Sequence, residues 1–298
     1  MRYAGEMAAL GTAVCWSVGS NLFVTAGQRM GSVFLNRLRI TAGAVFLGVT
    51  LLVMRGSPWP TWATSAQVGL LALSGLVGFV FGDTYYFRSM VILGPGRAAL
   101  LASLSPLMTV FLGWPVLGER PGHMTLLGMA LTLGGIAWVL WEQERREHQH
   151  PEGSVAMGVF AGVLAALGQT VGYVISKMAL RTGLDPLSAT VIRVFAAVVG
   201  VWVLALAQRD VRASLRTLRD RAATLSMIGG SIFGPFLGVT LSLTALLFIQ
   251  AGVAASITAI YPVLTLLISS RVHGERMTWR TLTGTVVAVA GVIVLFLR

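Results

Sequence analysis

The sequence predicts an all-α integral membrane protein in which ten transmembrane helices form two inverted five-helix repeats around a central cavity. Three observations predict it. Hydrophobic residues make up 55% of the 298 and charged residues only 11%, with a mean hydropathy of +0.79, a balance that soluble domains of this size do not show. Apolar stretches long enough to cross a bilayer, about 20 residues each, recur along the whole length. The last third also repeats the middle third at a fixed offset of 156 residues, Gly78 matching Gly234. At the same spacing Gly82 matches Gly238, Gly96 Gly252, Pro106 Pro262, Gly128 Gly284 and Gly135 Gly291, and the run Gly118, Glu119, Arg120 matches Gly274, Glu275, Arg276. Two related halves with an odd number of helices each must lie upside down relative to one another, an arrangement that places a solute site between the repeats near mid-membrane.

The elements follow in order, with the chain dividing into a first repeat at 1–141, a charged linker at 142–153 and a second repeat at 154–298. The first helix, 5–27, is read as retained: similar apolar runs follow it, and Val14 stands directly before Cys15 where a lipoprotein cleavage site needs a small residue. The second, 31–54, carries Arg37 and Arg39; the third, 67–91, carries Gly75, Gly78, Gly82 and Asp83. Small residues at such spacing let two backbones approach closely where lipid supplies no hydrophobic drive. Pro106 lies inside the fourth, 95–117, where a proline frees a carbonyl and permits a kink. The fifth, 122–141, is glycine-rich and leads into the linker, whose Glu142, Glu144, Arg145, Arg146, Glu147, His148 and His150 mark a solvated loop. Helices six and seven, 154–178 and 186–207, hold Gln169, Tyr173, Lys177 and Arg193. Arg209 to Arg221 follows, with Arg212, Arg216 and Arg219 spaced to form a basic stripe on anionic headgroups if helical, or a plain solvated loop if not. The last three, 224–249, 251–272 and 278–297, repeat the glycines as Gly230, Gly234 and Gly238 and the prolines as Pro235 and Pro262.

Net charge is +11, and Lys177 is the only lysine among 22 basic residues. The arginines fall mostly between apolar runs instead of gathering on one face, so membrane topology explains them better than nucleic-acid binding. With strict alternation, fifteen basic residues follow helices 1, 3, 5, 7 and 9 against six on the opposite side, which places both termini outside the cytoplasm. The single cysteine, Cys15, excludes an intramolecular disulfide.

The stretch from Gly82 to Trp141, with Gly82-Asp83-Thr84, Gly96-Arg97-Ala98-Ala99, Ser105-Pro106 and the Gly118-Glu119-Arg120 turn, resembles the EamA-type members of the drug/metabolite transporter superfamily. Ala254-Ala255, Tyr261-Pro262 and Gly274-Glu275-Arg276 look like the same unit repeated, and Trp16, Ser17, Gly19, Ser20 and Asn21 are similar to the family's first-helix pattern. The resemblance covers essentially the whole chain. It implies a ten-helix basket that exports or exchanges small metabolites such as amino acids without ATP, in a bacterial inner membrane. It also implies cytoplasmic termini, opposite to the charge count. The second half departs from the first in having Val239 for Asp83 and Thr244 for Arg88, so chemistry carried by the acid and base would be one-sided.

Buried ionisable groups are the best functional pointers in a membrane, because each is costly unless paired or hydrated. Asp83, the deepest carboxylate, is a candidate for binding a substrate ammonium or a coupling proton; a pair with a neighbouring arginine is the structural alternative. Arg39 and Arg193 are candidates for holding a carboxylate, or else snorkel to the nearer headgroups, as Lys177 does in the same alternative. Trp16, Asn21, Tyr86, Gln169, Tyr173 and Tyr261 supply polar tips on apolar walls, and with Asp83 form the candidate substrate site; each also has an ordinary role in interhelical hydrogen bonding. Gly78, Gly82, Pro106, Gly234, Gly238 and Pro262 are the candidate gating or packing positions. Glu119 and Glu275 are either caps of the following helices or latches between the halves.

No HExxH, phosphate-binding glycine loop or cysteine cluster occurs, so neither an enzyme nor a cofactor or metal site is expected. The expected partners are a small-molecule substrate and the lipid bilayer, with protons as a candidate coupling ion, no nucleic acid, and monomer or homodimer left open. The reading from another class is a membrane sensor, lipid passage or complex-forming protein without catalysis.

Overall fold

A computed structural model describes residues 3–93, 95–147, 154–273 and 278–297, and these are helices joined by short connections, with no strand among them. Ten of the described helices are long and apolar enough to cross a membrane. They are α1 Ala4–Met30, α2 Ser32–Arg55, α3 Ser65–Leu93, α4 Arg97–Leu117, α5 His123–Glu142, α6 Val155–Leu180, α7 Pro186–Ala207, α8 Arg221–Phe248, α9 Ala251–Ile268 and α10 Trp279–Leu297. Each sits within a few residues of its position in the sequence reading. Helix starts carry the expected side chains: Thr64 and Gln67 form a capping box on α3, Asp185 caps α7 ahead of Pro186, and Asp220 caps α8. Gly118, at φ 68°, ends α4 in the left-handed region that only glycine adopts cheaply.

The helices are not uniform, and their irregularities recur at the repeat spacing. In α3, Leu76–Gly82 winds as a π-helix, and so does Ile232–Gly238 in α8, its counterpart residue for residue. Pro235 removes one N–H from the second of these, whereas the first has no proline and is crowded by Arg193 of α7. The fourth helix of each half is broken at equivalent points, into Pro95–Ala102 and Ser105–Leu117, and into Ala251–Thr258 and Tyr261–His273. Pro106 and Pro262 stand second in the later segments, where a missing N–H is tolerated.

Inversion is visible where α5 crosses α10. Gly135 faces Gly284 and Ala288, while Gly128 faces Gly291 and Leu295. Gly284 is the counterpart of Gly128 and Gly291 of Gly135, so exchanging the halves maps this contact onto itself, as a two-fold between antiparallel helices requires. A methyl group on Gly291 would lie 2.3 Å from the Thr132 backbone nitrogen, which is why these helices demand glycine there.

Contacts run mainly between the halves and less within them. Helix α1 packs on α8 and α9, α6 packs on α3 and α4, and α2 packs on α7. Small-residue faces find their best partners on the inverted copy, so any rigid body would draw helices from both halves.

Two further expectations change. Helix continues from α5 to Glu147, which takes up the first half of the stretch read as linker; residues 148–153 lie outside the described residues, as do Gly274, Glu275 and Arg276. Arg37, Arg39 and Arg88, counted with the loops in the charge tally, lie inside α2 and α3 as the span bounds placed them, and Lys177 likewise lies inside α6. Removing them leaves the charge bias toward the same face. The basic segment between α7 and α8 is helical over Val211–Arg216 with one 3-10 turn after it, and Arg212, Arg216 and Arg219 are exposed. Arg37 holds it to the bundle through Ser214 at 3.1 Å and Asp210 at 3.7 Å.

Candidate functional site

Between the halves lies a cavity of about 780 Å³, within the range that encloses small organic ligands. Its walls bring together residues from both repeats: Trp16 and Ser20 of α1, Arg39 of α2, Asp83 and Tyr86 of α3, Ser105 of α4, Gln169 and Tyr173 of α6, Arg193 of α7, Ser242 of α8 and Tyr261 of α9. Both broken helices reach it at their breaks, through Ala102, Ser105 and Pro106 in one and Thr258, Ala259 and Tyr261 in the other. Irregular backbone at membrane depth is tolerated because it faces this space and not lipid.

Asp83 and Arg39 form an ion pair in the wall, with Arg39 Nη2 donating to Asp83 Oδ2 at 2.6 Å, and both side chains are nearly excluded from solvent. Asn36 accepts from Arg39 Nε at 2.8 Å, and the guanidinium carbon stands 5.7 Å and 5.4 Å from the Trp16 and Phe23 ring centroids. Gln169 Nε2 donates to the other carboxylate oxygen at 3.1 Å and to the Gly78 carbonyl at 3.0 Å. That carbonyl belongs to the π-helical turn of α3, which the Gln169 amide thus joins to the pair.

Arg193 is 2% exposed, lines the same cavity, and has its guanidinium carbon 4.7 Å from the Phe79 centroid. Neither arginine snorkels. Tyr86 and Tyr261 adjoin through their hydroxyls, and the Tyr173 hydroxyl hydrogen-bonds Ser242.

Asn21 is the candidate that the structure does not bring to the cavity: its amide donates to the Ser17 carbonyl one turn back at 3.0 Å. Gly78 and Gly82 pack against Arg193 and Gln169, and Gly234 and Gly238 against Phe23 and Trp16, so these four admit the cavity side chains. Phe79, Ser105, Ser242 and Thr258 line the cavity without having been singled out. Only the matching proline positions could have pointed to Ser105 and Thr258.

The cavity is shut on one side. Its lining extends to Gln28 and Ser32 at one membrane face, and stops toward the other at Tyr173, Ser242 and Thr258. One turn beyond Tyr173, Lys177 forms a buried ion pair with Glu119 and donates to the Ile249 carbonyl. Glu119 Oε2 also accepts from the Ala251 amide at 2.7 Å, at the start of α9, and Arg181 approaches Oε1 at 3.5 Å. Glu119 is therefore no cap of the helix that follows it. It joins the first half to two elements of the second, as the latch alternative described. Glu275 lies outside the described residues.

A sequence profile described as the EamA-like transporter family matches this chain twice, at residues 3–141 and 156–297. An uncharacterised protein of Pseudomonas aeruginosa is 27% identical over 92% of this chain and 88% of its own length. The aromatic amino acid exporter YddG of Ancylobacter novellus is 34% identical over 31% of this chain and 30% of its own length. A solved crystal structure of a protein superposes over 100% of this chain and 98% of its own with a TM-score of 0.72 at 18% identity, a likeness of fold.

Proposed function

The chain belongs to the EamA-like transporter family, and on that premise we propose that it is a secondary carrier, exporter or exchanger, of small organic metabolites, working by alternating access. The carrying observation is the cavity itself: it lies between inverted repeats at their broken helices, reaches one face and is sealed from the other by the Glu119 cluster. Trp16, Asp83, Tyr86, Gln169, Tyr173 and Tyr261 are the proposed contacts with cargo. Amino acids are the proposed cargo class, apolar or aromatic ones first, because aromatic faces dominate a lining with few charges; a relative named for aromatic amino acid export supports the choice. The proposed setting is a bacterial inner membrane, and the charge bias supports an open face toward the cytoplasm.

A counterflow screen of amino acids, sugars and nucleosides with purified protein in liposomes tests this. Exchange of amino acids is the expected outcome. Failure to move any solute removes the carrier reading and favours a sensor or complex-forming protein.

A further inference from the structure

We propose that Arg193 is the anchor for a carboxylate on the cargo, so that the protein carries organic acids, amino acids included, and rejects amines that lack the acid group. This rests on the carrier reading above and names its substrate class.

The charges in the wall do not balance. Among the described lining residues the ionisable side chains that are charged at neutral pH are Arg39, Asp83 and Arg193. Arg39 is spent on Asp83 and Asn36, and the two oxygens of Asp83 are taken by Arg39 and Gln169. Arg193 makes no hydrogen bond or ion pair among the described residues, and its Nε is buried without a partner. Asp83 lies within electrostatic reach of Arg193 but is paired with Arg39, so a cation at this depth has no direct partner, and the Phe79 ring at 4.7 Å offsets only part of the cost.

The surroundings fit a guanidinium held in place for use. A Cβ on Gly78 would lie 2.9 Å from Arg193 Nη2 and one on Gly172 3.2 Å from it, so two glycines leave a slot of guanidinium width. Phe79 fixes the plane, which favours the two-pronged approach of a carboxylate. The segments Ser105–Leu117 and Tyr261–His273 both begin at the cavity wall, and their N-terminal ends add partial positive charge to the same space. An ammonium finds a weaker counterpart there, because the charge of Asp83 is already offset by Arg39 and shared with Gln169. An apolar body attached to the carboxylate lies against Trp16, Tyr173 and Val239.

Full-length protein in nanodiscs is tested by thermal unfolding and equilibrium binding with 3-phenylpropionate, which has the carboxylate alone, and phenethylamine, which has the amine alone. The carboxylate is expected to raise the melting temperature, and the amine to leave it unchanged. Arg193→Gln is expected to weaken carboxylate binding by about tenfold or more, as loss of one charge-assisted pair does, without lowering the melting temperature of the empty protein. Arg193→Lys, keeping the charge without the fork, retains weakened binding. Equal stabilisation by the amine, no shift with the carboxylate, unchanged binding in Arg193→Gln, or marked destabilisation of that variant when empty would each overturn the anchor. Counterflow of solutes without an acid group would overturn it and spare the carrier reading. Binding that depends on Arg193 with no counterflow of any solute would spare the anchor and overturn the carrier.

Discussion

Glu119 and Lys177 close one end of the molecule: a carboxylate from the first half and an ammonium from the second pair with side chains only 10% and 8% exposed. Glu119→Ala leaves Lys177 buried beside Arg181 without its partner and removes the acceptor of the Ala251 amide. The sealed face is expected to open. In a Cys15→Ala background with Ala255→Cys in the cavity wall, an impermeant maleimide labels from one face of oriented vesicles only. Adding Glu119→Ala makes labelling two-sided, and persistence of one-sided labelling refutes the latch.

Asp83→Asn breaks a different buried pair. Arg39 is left uncompensated in the wall, so unfolding stability falls by about 3–5 kcal/mol, while Asp83→Asn with Arg39→Gln together recovers much of the loss. A double-mutant cycle read by thermal denaturation measures the coupling. If Asp83 also carries the coupling proton, proton-dependent flux in liposomes disappears in Asp83→Asn. Undiminished and equally pH-sensitive flux rejects that role.

Gly291→Val tests the antiparallel crossing of α5 and α10. Its Cβ would overlap the Thr132 backbone, and overpacking of this kind costs about 1–3 kcal/mol. Gly134→Ala on the same α5 meets nothing within 4 Å and does not lower the melting temperature. Equal effects of the two substitutions would deny that the crossing is tight.

Asp220 lies outside the spans, and the Ala223 amide, followed by Arg29, holds its carboxyl below the ordinary 3.8. A depressed carboxylate stabilises fully above its unfolded pKa and ceases to as pH falls through the lower folded value. Hydrogen exchange at the Ala223 amide should therefore stay flat from neutral pH down to about 4 once corrected for intrinsic rates, and protection should fall only in stronger acid. Asp220→Ala removes that protection at all pH values; slow exchange in the variant would show the cap to be idle.

The spans were legible because the bilayer imposes length and apolarity on every crossing, and Pro106 and Pro262 marked the helix breaks by backbone chemistry alone. The π-helical turn at Leu76–Gly82 was not legible, since it contains no proline and its crowding comes from Arg193, more than a hundred positions away. Most of the candidate residues for the cavity share it, whereas Asn21 satisfies its amide within its own helix, a choice that sequence spacing does not reveal. In the sequence Glu119 looked first of all like a cap of α5, and only the arrival of Lys177 and Ala251 from the other half decides otherwise. The partners of Arg37, on the segment between α7 and α8, were hidden for the same reason.

At the repeat spacing, Lys177, Arg181 and Ala251 correspond to Asn21, Thr25 and Pro95, two uncharged side chains and a residue without an N–H. The opposite entrance therefore has no means of assembling the same lock. For a carrier, unlike bolts at the two doors make the resting conformations unequal in energy, so half-saturation differs between the two compartments. The final accumulation ratio is untouched, because the driving gradient alone sets it: the lopsided hardware governs which side loads readily, not how far the solute is pumped.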